Sequence, residues 1–396
     1  MIARDQVTVP AGHWLTRLPW VAGGVGVLAT ALSLVLASGN PRQFAFSWLL
    51  AFLFFASLAI GGMYFVLVHY ATQAGWGVVV RRLAENMMGT IPLLALLFLP
   101  IVWQMRELFP WVNALADGDD HLIAAKAPYL NTRFFLVRAA VYFTVWVAIA
   151  LLFARRSRAQ DRTGGTAISL ALKRISAPAL IALALTQTFA AFDWIMSLDP
   201  TWYSTIFGVY WFAGSFVSTF AFLVLAIVVL RSAGLMKDVI TLEHFHDLGK
   251  LLFAFTVFWA YIGFSQFFLI WYGNIPEETI FFRERLEGSW RAMSFLLAAG
   301  HFAVPFFFFM PRSIKRKPGL LALGAGWMLL MHFVDMYWLV MPAMHPHGVH
   351  IGLSDLAAFA AVGGLFAAVF GRLCAGSALV PVRDPRLAES LSFENV

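Results

Sequence analysis

The sequence predicts an all-α, polytopic membrane protein of about ten transmembrane helices, and three observations predict it. Of the 396 residues 61% are hydrophobic and 12% charged, whereas soluble domains run near one half and one quarter. Ten apolar runs reach the roughly 20 residues an α-helix needs to cross a bilayer, and they are continuously apolar rather than alternating as barrel strands are. Threading those runs up and down places most Lys and Arg on one side, as the positive-inside rule requires.

The runs fall near 18–38, 44–70, 77–103, 134–154, 176–197, 203–230, 250–272, 290–310, 319–341 and 351–371. The first follows a mostly polar start and is long enough to span, longer than the apolar core of a signal peptide, so no cleaved leader is expected. The second carries Tyr64, His69 and Tyr70, and the third opens on Arg81, Arg82 and Glu85. A long loop at 104–133 holds DGDDH (117–121), which would attract a cation or a basic partner unless it is plainly solvated. A basic turn, Arg155 to Arg162, separates the fourth and fifth runs, and another, Arg312 to Lys317, separates the eighth and ninth. HFHD (244–247) precedes the seventh and reads as a cap with interface contacts. The imidazoles of His345, His347 and His350 in MHPHGVH suit zinc or copper, but Pro346 and Gly348 mark a turn, so an interface loop is the preferred reading.

An even number of spans puts both termini on one side. Eight of the 28 Lys and Arg (Arg42, Arg106, Lys126, Arg133, Arg138, Arg283, Arg285 and Arg291) fall on the other side, so the terminal side is cytoplasmic. The net charge of +7 is accounted for by those loops, and no nucleic acid partner is expected; lipid is. The single cysteine, Cys374, excludes an internal disulfide and a cysteine-ligated iron–sulfur cluster built by this chain. There is no C-x-x-C-H for c-type haem, no pair of histidines at one depth for b-type haem, and no P-loop. The chain is therefore expected to bind no metal, haem or cluster and to supply no catalytic residue of its own.

Two spans bury a carboxylate. Asp193 lies in TQTFAAFDWIMSLDPTWYST and Asp335 in MHFVDMYWLVMP, each seven residues before a proline, Pro200 and Pro342. Each costs about 2.5–3.5 kcal/mol on the insertion scale, and a structural hydrogen bond needs only Asn or Ser. The matched frames suggest a duplication: one four-helix unit over 44–200 and a second over 201–346, running in the same direction, with 1–43 and 347–396 flanking them. At about 1.5 Å of rise per residue both acids sit roughly 23–26 Å from the cytoplasmic starts of their helices, in a core of about 30 Å.

His332 lies three residues before Asp335 and shares its face; Gln187, His301, His69 and Glu85 continue inward as a sparse ladder of proton-exchanging groups. Each of these also fits a helix-to-helix hydrogen bond of about 0.6 kcal/mol, and Arg81, Arg82 and Glu85 fit an intrahelical ion pair. Desolvation favours the neutral form of each acid unless a cation or several donors stabilise the carboxylate, and no Lys or Arg lies within a turn of either on its own helix.

The segment FDWIMSLDPTWYSTIFGVYWFAGSF (192–216) resembles the F-subunit family of alternative complex III, a bacterial quinol:cytochrome c oxidoreductase, within the wider NrfD or polysulfide reductase membrane-subunit family. The resemblance extends over nearly the whole chain. It implies a multi-pass subunit of the bacterial inner membrane, beside a homologous NrfD-like C subunit, an iron–sulfur subunit and multihaem cytochrome c subunits. Those partners would hold the haem c and the iron–sulfur clusters. It further implies a part in quinol oxidation, with quinol as a ligand, and in proton translocation, with Asp193, His332 and Asp335 as positions that matter for protons. The residues alone also fit a stand-alone proton-coupled transporter or a purely structural membrane anchor.

Overall fold

The computed structural model describes residues 4–117 and 121–395, so positions 118–120 of the DGDDH run lie outside the described residues. Among the described residues all regular structure is helical. Ten helices are long and apolar enough to cross a membrane: α1 (Trp14–Gly39), α2 (Pro41–Thr72), α3 (Val78–Trp103), α4 (Thr132–Thr163), α5 (Ala167–Leu198), α6 (Phe207–Ser232), α7 (Leu242–Gly273), α8 (Gly288–Phe309), α9 (Pro318–Ala343) and α10 (Leu353–Ala375). The protein is an all-α, multi-pass membrane protein. α4 and α5 run past their apolar stretches because nothing in the basic turn breaks a helix before Gly164 and Gly165, whose φ values of 68° and 78° favour glycine.

α2 is apolar on every side, and a helix without a polar face belongs inside a bundle. It is buried along almost its whole length and packs against α1, α3, α5, α6, α9 and α10. α6 is the second central helix, in contact with α2, α5, α7 and α9. Contacts run within α2–α5 and within α6–α9, and α2–α6, α5–α6 and α2–α9 join the two sets, while α1 and α10 pair outside α2.

Small residues allow two close helix crossings, as van der Waals packing in lipid demands. A Cβ on Gly364 would lie 2.7 Å from Gly26 Cα across α1 and α10, and one on Gly61 would lie 2.1 Å from Thr219 Oγ1 and 2.4 Å from Ser215 O across α2 and α6. Gly61→Ala should therefore lower the stability of the detergent-solubilised protein by about 1–3 kcal/mol, the usual cost of overpacking. A thermal midpoint equal to that of wild type would show that α2 and α6 do not approach so closely.

Caps fix where the spans begin. Asn40 Oδ1 accepts from Gln43 N at 2.9 Å ahead of α2, and Asn131 Oδ1 from Phe134 N at 2.9 Å ahead of α4. HFHD does cap: His244 Nδ1 accepts from Thr241 N at 3.0 Å, and the other ring nitrogen meets Ser390 O at 3.1 Å. Ser390 donates to Trp76 O at 2.6 Å, so the C-terminal segment lies across the terminal face of the bundle. On the opposite face MHPHGVH packs against the ends of the spans. His345 Nε2 meets Gln43 Oε1 at 2.8 Å, Trp290 Nε1 donates to His345 O at 2.8 Å, and Tyr337 Oη donates to His350 O at 2.6 Å.

Candidate functional site

Asp193 and Asp335 are both fully buried, yet their surroundings differ. α4 presents Arg138 and Tyr142, four residues apart and so on one face, to the end of α5. Arg138 Nε and Nη2 donate to the two oxygens of Asp193 at 2.8 and 2.9 Å, and Tyr142 Oη adds a third bond at 2.8 Å. The remaining edge of the guanidinium donates to Tyr129 O at 2.8 Å, and its centre lies 3.9 Å from the Tyr129 ring and 4.3 Å from the Phe134 ring. This two-pronged geometry fixes Asp193 as the anion of an ion pair.

Asp335 has only neutral donors. Tyr210 Oη from α6 donates to Oδ1 at 2.5 Å and Trp259 Nε1 from α7 donates to Oδ2 at 3.0 Å. Among the described residues no Lys or Arg reaches it at ion-pair distance. Instead two imidazoles approach: one ring nitrogen each of His301 and His332 and an oxygen of Asp335 lie within 4.8 Å of one another. Ser57 Oγ donates to Phe54 O at 2.6 Å and meets His332 Nε2 at 2.7 Å. With the Ser57 proton so used, Nε2 is the donor to Ser57, and Nδ1 is left as a bare acceptor. That Nδ1 is buried without a partner, as are both ring nitrogens of His301. Acceptors therefore outnumber donors around Asp335.

His301 reaches this place through a defect in α8. Leu297–Ala303 forms a π-helical turn, and Pro305 is its local cause, since a proline ring clashes with the carbonyl four residues back and supplies no N–H. In the π register the Gly300 carbonyl, five residues before Pro305, gets no N–H from the proline and accepts instead from Trp327 Nε1 at 2.7 Å. The turn swings the His301 ring over Trp259, with centroids 3.7 Å apart and planes at 24°. Such π turns recur at functional sites.

The inner groups do not join into one chain of hydrogen bonds. Tyr64 Oη donates to Gln187 Oε1 at 3.3 Å, and Gln187 Nε2 donates to Gly208 O at 3.0 Å, so Gln187 ties α2, α5 and the start of α6 together. His69 Nδ1 meets Phe65 O at 2.9 Å while its Nε2 is buried without a partner. Glu85 is more than an intrahelical partner. Arg81 pairs with Glu85 at 3.3 Å and with Asp384 of the C-terminal segment at 2.6 Å; Arg82 pairs with Glu85 at 3.0 Å and with Asp161 of α4 at 2.8 Å. Cavities reach both ends. One of about 110 Å³ on the terminal side touches His69, Tyr70, Arg81 and Asp384. Another of about 340 Å³ on the opposite face lies between the two proline turns, against Pro200, Pro342, Asp199, Glu284, Arg285 and Phe207.

His301, His332 and Asp335 are the residues that would hold a metal, as two histidines and one carboxylate. Their surroundings fit protons better: each carboxylate oxygen already carries a donor, and a divalent ion would bring two charges against one carboxylate in a fully buried site. Arg138, Tyr142, Tyr210, Trp259 and Ser57 are absent from the sequence-based set. A signal for Arg138 was present, since an arginine inside an apolar run faces the bundle interior and seeks an acid. Tyr142, Tyr210, Trp259 and Ser57 carry no such mark. In comparison with known proteins, no family model and no curated protein matches the chain.

Proposed function

We propose that this chain is an integral membrane subunit of a quinol:cytochrome c oxidoreductase of the alternative complex III type, a relative of its F subunit. It sits in a bacterial inner membrane with both termini in the cytoplasm, beside an NrfD-like C subunit, an iron–sulfur subunit and multihaem cytochrome c subunits. Those partners carry the haem c and the clusters and this chain carries none. Its own part is a proton-exchanging site in support of quinol oxidation. One observation carries the reading: the 192–216 segment that bears the resemblance also builds both buried acid sites, contributing Asp193 to one and Tyr210, the short-bonded donor to Asp335, to the other.

The two acids divide the work. Arg138 gives Asp193 a full counter-charge, so a proton arriving there would break an ion pair. Asp335 is met by two neutral donors and lies beside imidazoles with open lone pairs, which suits it to pass a proton. Phe207, on the wall of the 340 Å³ cavity, stands 6.3 Å from Tyr210 between ring centroids, which favours proton release on the face away from the termini.

Extraction in mild detergent should recover the chain with haem, non-haem iron and quinol:cytochrome c activity migrating together. A solitary colourless protein would sink the proposal, and proton flux by that protein in liposomes would establish the transporter instead. Orientation has its own test, in a Cys374→Ser background. Ala125→Cys should react with a membrane-impermeant thiol reagent on cells with a permeabilised outer membrane, and Arg156→Cys, exposed on the terminal side, should not. The opposite pattern would invert the topology.

A further inference from the structure

A groove of about 560 Å³ opens sideways between α7, α8, α9 and the short helix Pro276–Glu284. Its walls are apolar, and Phe264 and Phe295, each 64% exposed, line its mouth toward the lipid. Most polar groups on it are already committed. Trp338 Nε1 donates to Ser294 Oγ at 2.8 Å, Ser294 Oγ donates to Arg285 O at 2.6 Å, and Tyr210 and Trp259 donate to Asp335.

Two buried groups remain uncompensated. Gln266 is 6% exposed and its Oε1 is buried without a partner, an acceptor in want of a donor. Arg285 is 5% exposed and donates to Trp338 O and Leu339 O at 3.1 Å and to Phe281 O at 3.0 Å, three of its five N–H groups. No carboxylate lies at ion-pair distance from it among the described residues, and Glu284 and Asp199 act on it only from further off. Burial pushes its pKa down to about 9, so it is still a cation at neutral pH. A cation taken out of water without an anion is costly. Arg285 binds the Trp338 and Leu339 carbonyls, four to five residues before the end of α9, and so stands near the end of that span.

We propose that this groove binds one anionic phospholipid with a hydroxyl-bearing head, of the phosphatidylglycerol type. Its phosphate lies at the free N–H groups of Arg285, its head hydroxyl donates to Gln266, and an acyl chain runs along the phenylalanines. A soluble anion makes no use of the apolar walls, and a neutral isoprenoid leaves Arg285 without a counter-charge. The lipid would also seal the flank of the Asp335 site, since Tyr210 and Trp259 form the inner wall of the groove.

The probe is dioleoylphosphatidylglycerol, with dioleoylphosphatidylcholine as the zwitterionic control, added to the delipidated full chain and read by native mass spectrometry. Wild type should hold phosphatidylglycerol in preference to phosphatidylcholine. Arg285→Gln should weaken it about tenfold or more, the loss expected for one charge-assisted hydrogen bond. Ala298→Trp fills the groove from an exposed position without touching Arg285, so it keeps the test valid if Arg285→Gln misfolds; it should abolish the preference. Equal binding of the two lipids by wild type, or an unchanged preference in Ala298→Trp, overturns the proposal.

Discussion

Replacing Arg138 with leucine is expected to leave little stably folded protein. The substitution strands the Asp193 carboxylate, fully buried and bonded to Arg138 through both oxygens, with Tyr142 as its one remaining side-chain donor. Breaking a buried ion pair by removing one partner costs about 3–5 kcal/mol, a large part of the stability of any domain. Arg138→Lys should recover only part of the loss, because an ammonium is a point charge and cannot bond both oxygens in the same plane. The double variant Arg138→Leu with Asp193→Leu should recover more than either single one, since it removes both charges together. Yield and thermal midpoint in detergent measure this series. A midpoint for Arg138→Leu equal to that of wild type would mean that the ion pair does not hold α4 to α5.

Asp335→Asn should give the opposite result, a complex that assembles and no longer works normally. Asn keeps the size and one acceptor, so Tyr210 or Trp259 retains its bond and the other loses it, a cost of roughly 1–3 kcal/mol that the packing of α6, α7 and α9 can bear. What Asn cannot do is exchange a proton. Quinol:cytochrome c turnover, or protons released per electron, should fall about tenfold or more, at the low end of what a positioned proton-transfer group contributes. Asp193→Asn should instead lower assembly, because it leaves Arg138 uncompensated, and should spare proton stoichiometry in whatever assembles. A purely structural anchor predicts normal turnover for every variant that assembles. Unchanged turnover and stoichiometry in Asp335→Asn would therefore make the Asp335 cluster packing alone.

The two aspartates also show how far sequence reasoning reaches. Each stands seven residues before its proline, so they read as one motif used twice, and burial of both is borne out. The sequence contains no cation within a turn of either acid, and along each helix that is correct; the cation comes across the interface from α4. His301 reads as a mid-span rung of a proton-exchanging ladder or an ordinary hydrogen-bonding group, and not as a neighbour of Asp335, because the π turn that carries it there depends on Pro305 and Trp327 acting together. Glu85 reads as a partner for Arg81 and Arg82, which it is, but Asp161 and Asp384 complete that network from segments 76 and 299 residues further on.

By itself the sequence determined the solvent of this protein and the number of its spans. Those follow from run length and hydropathy, which act along the chain and need no knowledge of neighbours: in lipid a backbone must satisfy its own hydrogen bonds, and a continuous apolar run of this length can do so only as a helix. It also marked Asp193 and Asp335 as buried acids, but not the buried cations Arg138 and Arg285, whose burial depends on the helices that cover them. Only the tertiary structure decided what each buried charge does. Whether a carboxylate meets a guanidinium, as Asp193 does, or a phenol and an indole, as Asp335 does, depends on which helix faces it, and that is set by the close approach of α2 to α6 at Gly61 and by the packing of α4 on α5. Lipid tails are as apolar as the helix surfaces, so hydrophobicity cannot choose those neighbours; shape and hydrogen bonding choose them, and both exist only in three dimensions.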